Sequence, residues 1–160
     1  MKRDFALKHL KKHIVPVSSF VLYKIMTRIN LVPPAELCDQ HLLAEHRELT
    51  RIPNAVAKGK FHLKGQPTEY KLGEGHVRFF FNKMAFLKKR YDLLHAECKA
   101  RGFNVQYIWN ENLPQEAALW LDYEPTEHAL ALNRERLRTR MPARARFTPH
   151  KILAENRPHF

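Results

Sequence analysis

The chain has 160 residues, 44% of them hydrophobic, enough for one core and too short for two ordinary domains. Its 28 Lys+Arg against 16 Asp+Glu leave a formal charge of +12, which suits a polyanion such as nucleic acid but does not choose among DNA, RNA and an anionic membrane surface. No apolar run approaches the roughly 20 residues a membrane span requires, and the two cysteines, Cys38 and Cys98, have no CxxC or Cys/His spacing around them and read as reduced, half-buried thiols of a cytosolic protein.

Residues 1–26 differ in character from the rest of the chain. A basic stretch (Lys2, Arg3, Lys8, Lys11, Lys12) leads into a short apolar run from Ile14 to Tyr23 that is broken by Pro16. The order resembles a weak signal peptide, but Lys24, Ile25 and Met26 stand where signal processing prefers small residues. A targeting helix is a second reading, interrupted by Pro16. The third, which fits best, is an over-long start, with translation beginning at Met26 in MTRINL. Five Lys, one Arg and one Asp leave with residues 1–26, so the charge falls from +12 to +7 and the remainder is still basic.

Pro33 and Pro34 precede a segment, 35–51, with helical periodicity. Cys38, Leu42 and Leu49 share one side, while Gln40, His41, Ala44, Arg47, Glu48 and Arg51 gather on the other. Next comes a glycine-rich stretch (Gly59, Gly65, Gly73, Gly75), and then the run Phe79, Phe80, Phe81, which suits either a short strand or a helix start. The pattern predicts a second helix from Lys83 to Arg101, with Asn82 as N-cap and Gly102 as its stop. Met84, Leu87, Tyr91, Leu94 and Cys98 form its apolar stripe, and Lys83, Lys88, Lys89, Arg90 and Arg101 carry its charge. A third helix starts after Pro125 and runs to Arg140, where Pro142 stops it. With no alternating strand series, the expected fold is all-α: a single compact domain of about three main helices. The expected organisation is an extension at 1–26, a domain at 27–141 and a basic arm at 142–160.

Two residues stand out chemically. A Met-Thr start is ordinarily trimmed, exposing the α-amine of Thr27. Such an amine has a reference pKa of about 7.7–8.0 against about 10.4 for lysine, so its nucleophilic fraction at neutral pH is more than a hundredfold larger. Arg28, and Arg47 or Arg51 if they fold close, would lower it further. The amine is thus a Schiff-base nucleophile without a buried lysine; the bland alternative is a frayed first residue. Glu48 is the one carboxylate on the cationic stripe, placed to hold a sugar or move protons. Its ordinary alternative is an i,i+3 pair with Arg51 worth a few tenths of a kcal/mol. Arg47 and Arg51 suit phosphate contacts together with His41 and Gln40, or are solvated surface charges. His41 and His46 are five apart, there is no HExxH or Cys/His quartet, and no GxGxxG or GxxxxGK[ST] run is present, so neither a metal nor a nucleotide cofactor is expected.

The segments MTRINL at 26–31, ELCDQHLLAEHRELTRI at 36–52 and LGEGHVRFFFNKMAFLKKRYDLLHAECKARGFNV at 72–105 closely resemble the phage-type endonuclease V family of pyrimidine-dimer DNA glycosylases. The similarity is dense from Met26 to Val105 and weaker through the third helix. The resemblance implies an all-helical protein whose N-terminal segment threads between helices, with no metal or organic cofactor. It implies that the mature chain begins at Thr27, whose amine attacks the sugar of the damaged nucleotide, and that Glu48 is the catalytic glutamate. Arg28, Gln40, His41, Arg47 and Arg51 match positions that contact DNA around the lesion. The implied partner is double-stranded DNA carrying UV damage, acted on by a monomer, DNA-associated in the cytoplasm. The chain departs from the family pattern in three places. His46 replaces a common tyrosine, the loop between Arg51 and Gly73 is shortened, and RMPARARFTPHKILAENRPHF replaces an aromatic-rich tail. Two other readings go with these features: a non-catalytic DNA-binding module if residues 1–26 are retained, and a glycosylase/lyase for a different lesion.

Overall fold

A computed structural model describes residues 27–151. The expected 1–26 extension and residues 152–160 of the expected arm lie outside the described residues. Pro34–Glu36 forms a 3-10 turn, and Leu37 and Cys38 return to extended backbone, so the first helix, α1, spans Asp39–Glu48 and starts later than the periodicity suggests. It also ends sooner. Pro53 has no N–H to offer the Leu49 carbonyl, so the ladder is interrupted and restarts as α2 (Arg51–Ala57). Ile52 N reaches Leu49 O at 3.1 Å and Asn54 N reaches Thr50 O at 3.0 Å across the break.

Gly75 introduces α3 (His76–Phe79) at φ 88°, a left-handed conformation in which a Cβ would also lie 2.9 Å from Pro67 Cγ. Phe79 closes this turn and Phe80 and Phe81 come directly after it, all three buried, so the aromatic run forms neither a strand nor the start of the long helix. That helix, α4, spans Met84–Ala100, with Gly102 at φ 85° just beyond its end. After a 3-10 turn at Ala117–Leu119, α5 spans Glu127–Thr139; the Thr126 hydroxyl caps it by accepting from Ala129 N at 3.1 Å. The described residues contain no strand, only an isolated bridge between Lys83 and Trp120. The fold is therefore all-helical as expected, with α1, α4 and α5 the three main helices. None of the described helices is long and apolar enough to cross a membrane.

The α1–α4 contact forms the centre of the core. Leu42 of α1, Leu49 just after its end, and Met84, Leu87, Tyr91, Leu94 and Cys98 of α4 are all fully buried, as their helical spacing predicts. Both cysteines are free and fully rather than half buried, and burial pushes the Cys98 thiol up to about 11, which keeps it protonated and inert. Two of the charges expected on this predicted helix, Arg90 and Arg101, are buried. Arg101 is 5% exposed and bonds Asp39 at 2.9 Å and Glu97 at 2.7 Å. Arg90 is 4% exposed and grips Glu45 in a bidentate pair, Nε to Oε1 and Nη2 to Oε2, both at 2.9 Å.

The Arg90–Glu45 pair serves the segment Thr27–Val32, which runs between the helices without a strand to pair with. Its backbone polar groups must be satisfied by side chains. Ile29 N donates to His76 Nε2 at 2.9 Å and Ile29 O accepts from Tyr70 at 3.1 Å. Asn30 N and Nδ2 donate to the two oxygens of Glu45, at 3.0 and 2.8 Å. Leu31 N and Val32 N share Asn133 Oδ1 from α5, at 2.7 and 3.2 Å, and Val32 O accepts from Arg90 Nη1 at 2.5 Å. The N-terminal segment is thus threaded through the bundle as the resemblance implies. Glu45→Ala is expected to destabilise the protein by about 3–5 kcal/mol, because Arg90 stays buried without its carboxylate. Urea unfolding measures this; a loss below about 1 kcal/mol would show that the pair is dispensable.

Candidate active site

Thr27 is 4% exposed, and its hydroxyl donates to the Glu48 carbonyl at 3.0 Å. This contact joins the start of the threaded segment to the last residue of α1, 21 positions away in sequence. Both residues line one cavity of about 440 Å³, within the range of small-ligand sites of about 300–1,000 Å³. Arg28, Asn30, His41, Ala44 and Glu45 line it from the same two elements. Leu72 to Arg78 supply another wall, and Arg136 and Leu137 of α5 close it with Arg140 just beyond its end.

The carboxylates of this cavity are already engaged. Glu45 is held by Arg90 and Asn30. Glu48, with a side chain 24% exposed, has Arg47 at 3.6 Å and Arg51 at 4.0 Å. Glu74 lies 4.0 Å from Arg78. Arg28, Arg136 and Arg140 form no ion pair among the described residues, although all three line the cavity. Burial, then the charges of Arg28 and Arg140, holds the Arg136 guanidinium below its usual value, and its Nε is buried without a hydrogen-bond partner among the described residues. Three guanidiniums facing one another across a cavity repel unless an anion enters between them.

Of the residues singled out in sequence, Thr27, Arg28, His41 and Glu48 meet in this cavity. Arg47 and Arg51 flank Glu48, their side chains 70% and 46% exposed, outside the lining. Gln40 stands outside it too. Its amide donates to Arg144 O at 2.8 Å and accepts from Arg146 N at 3.1 Å, which holds the C-terminal segment against α1. His41 donates from Nε2 to Arg140 O at 3.1 Å, and its buried Nδ1 has no hydrogen-bond partner among the described residues. The segment after α5 is anchored further by Asp39, whose oxygens accept from Thr148 N at 3.1 Å and Thr148 Oγ1 at 2.7 Å. Arg144 and Arg146 are thereby carried beside α1.

His46 turns away from the cavity. It is buried against α4, stacked on Tyr91 at 5.0 Å, with Nε2 3.1 Å from His95 Nδ1. Burial, then His95, lowers its pKa, so it serves as a neutral packing residue. Sequence reasoning missed Arg136 and Arg140 of the site, although four-residue spacing on a predicted helix places them on one face. It also missed His76, Glu45 and Asn133, which carry no motif. A sequence model described as pyrimidine dimer DNA glycosylase matches residues 26–111, more than half of the chain.

Proposed function

The chain belongs to the pyrimidine dimer DNA glycosylases, a family that acts on UV-damaged DNA, and on that premise we propose that it is a bifunctional glycosylase and abasic-site lyase whose nucleophile is the α-amine of Thr27. The observation that carries this reading is the shared cavity: the Thr27 end of the threaded segment, the Glu48 carboxylate and three arginines with no carboxylate partner among the described residues line one volume. A nucleotide turned out of the duplex brings a sugar and its phosphates, which match a carboxylate and converging guanidiniums.

In this reaction the neutral amine gives its lone pair to C1′ of the damaged nucleotide. The glycosidic bond breaks with its electrons on the pyrimidine, which takes up a proton. The amine nitrogen loses a proton, its lone pair opens the C1′–O4′ bond with the bonding electrons left on O4′, which takes up a proton, and a protonated imine results. A proton is then lost from C2′, the electrons move toward the imine, and the 3′ phosphate departs, nicking the strand. Hydrolysis of the imine restores the amine. Glu48 is the anion beside the developing positive charge and the acceptor for the C2′ proton. Arg28, Arg136 and Arg140 hold phosphate at the cavity, while Arg47 and Arg51 hold the flanking backbone. Gln40 and His41 act toward DNA by keeping the arginine-bearing C-terminal segment in place.

Protein whose mass shows Thr27 at its N-terminus is expected to form a borohydride-reducible covalent adduct with UV-irradiated duplex and with abasic duplex. Absence of an adduct with both would refute the amine mechanism. An adduct with abasic but not irradiated DNA would keep the lyase and reassign the lesion, in line with the departure of the C-terminal segment from the family pattern.

A further inference from the structure

We propose that His76 is a positioning residue for the reaction: in its neutral form it holds the Thr27 segment in register, and its protonation releases that segment from the cavity. The inference rests on the Thr27 amine being the nucleophile and adds a group that acts on it from two residues away.

The hydrogen-bond geometry admits only one protonation state. Ile29 N is a donor, so His76 Nε2, at 2.9 Å, must be a bare acceptor. Lys71 O is an acceptor, so His76 Nδ1, at 2.8 Å, must carry the hydrogen. A doubly protonated ring would turn an N–H against the Ile29 N–H and lose the bond. The ring has no freedom to escape this conflict: it is 6% exposed and set edge-on between Tyr70 and Phe80, each 5.4 Å away. Gly75 at φ 88° and the turn it starts present the ring from α3.

The charges facing His76 come from every element around it. Arg28 on the threaded segment and Arg136 on α5 oppose its protonation, Glu45 on α1 favours it, and the Lys71 carbonyl favours the proton on Nδ1. Burial outweighs the favourable contributions and holds the imidazole below its ordinary value. Above about pH 6.5 the ring is neutral whether it is bonded to the segment or not. As pH falls below that, a released ring takes up a proton and the bonded ring does not, so acid progressively favours release. Among the clamping groups, His76 is bonded nearest the amine in sequence through the backbone, and acid abolishes that bond by adding a proton to the acceptor.

The test is single-turnover borohydride trapping on abasic duplex between about pH 5 and 8, with mature protein beginning at Thr27 and the variants His76→Gln and His76→Leu. Wild type should slow by about tenfold per pH unit while the amine alone titrates, then steepen toward about a hundredfold per unit as His76 also takes a proton. His76→Gln presents an amide oxygen to Ile29 N and has no proton to gain. It should trap within about threefold of wild type at neutral pH and keep the single-proton slope throughout. His76→Leu should trap at least about tenfold more slowly at every pH with unchanged duplex affinity. If His76→Leu does not fold, the slope of His76→Gln decides alone. An acid limb of His76→Gln that coincides with wild type, or a His76→Leu rate equal to wild type, overturns the proposal. Failure of wild type itself to trap overturns instead the Thr27 reading on which it stands.

Discussion

Protein that retains residues 1–26 is expected to bind duplex DNA yet yield no borohydride-trapped adduct, whereas the same sequence starting at Thr27 yields one. The nucleophile in the proposed reaction is a backbone atom. Joined to Met26, the Thr27 nitrogen is an amide whose lone pair is delocalised into the carbonyl, so the loss is complete rather than partial. No side chain lining the cavity takes over. Its cationic side chains are arginines, and none of its lining residues is a lysine. Lys83, a half-buried lysine, donates to Phe79 O and Asn82 Oδ1 and lies outside the lining. Binding through Arg47 and Arg51 is unaffected by the identity of the N-terminus, so the retained form should keep a salt-dependent affinity for duplex. Two preparations of defined intact mass, compared for trapping and for binding at two salt concentrations, measure both properties. Equal trapping by the two would assign the nucleophile to another amine.

Much of the fold was legible because it rests on local periodicity. The stripes Cys38–Leu42–Leu49 and Met84–Leu87–Tyr91–Leu94–Cys98 are buried as their spacing requires, and Gly102 and Thr126 mark helix ends by conformations and caps that depend on neighbouring residues alone. The break in the first helix was visible as Pro53 but not its outcome, since the chain resumes a helix at once. What the sequence hid were decisions made by distant partners. Glu45, Arg90 and Arg101 have the polarity of surface residues, and only the arrival of a partner 45 or 62 positions away makes their burial tolerable. His76 and Asn133 belong to no motif, because their task is to satisfy the backbone of a segment 47 and 102 residues distant. The candidate site was half legible for the same reason: resemblance pointed to Thr27 and Glu48, whereas Arg136 and Arg140 joined them only through the packing of α5.

Glu48→Gln is expected to lower single-turnover cleavage of irradiated or abasic duplex by about 10²–10⁴-fold, the range for loss of a general acid or base. The substitution keeps the shape of the side chain and removes its charge and basicity. The glutamine can no longer offset the positive imine or accept the C2′ proton. Stability should barely change. Arg47 and Arg51 stand 3.6 and 4.0 Å from the carboxylate with side chains 70% and 46% exposed, and exposed pairs of this kind contribute about 0–1 kcal/mol. DNA affinity should rise rather than fall, because Glu48 is an anion among guanidiniums and its removal strengthens the field that attracts phosphate. The predicted signature is therefore a variant that folds, binds as tightly or more tightly, and turns over slowly. Thermal melting, equilibrium binding and single-turnover nicking on one preparation separate the three effects. Cleavage within about threefold of wild type would remove Glu48 from the chemistry. A parallel loss of binding and cleavage would instead make it a residue that shapes the cavity, leaving the proton at C2′ to another acceptor.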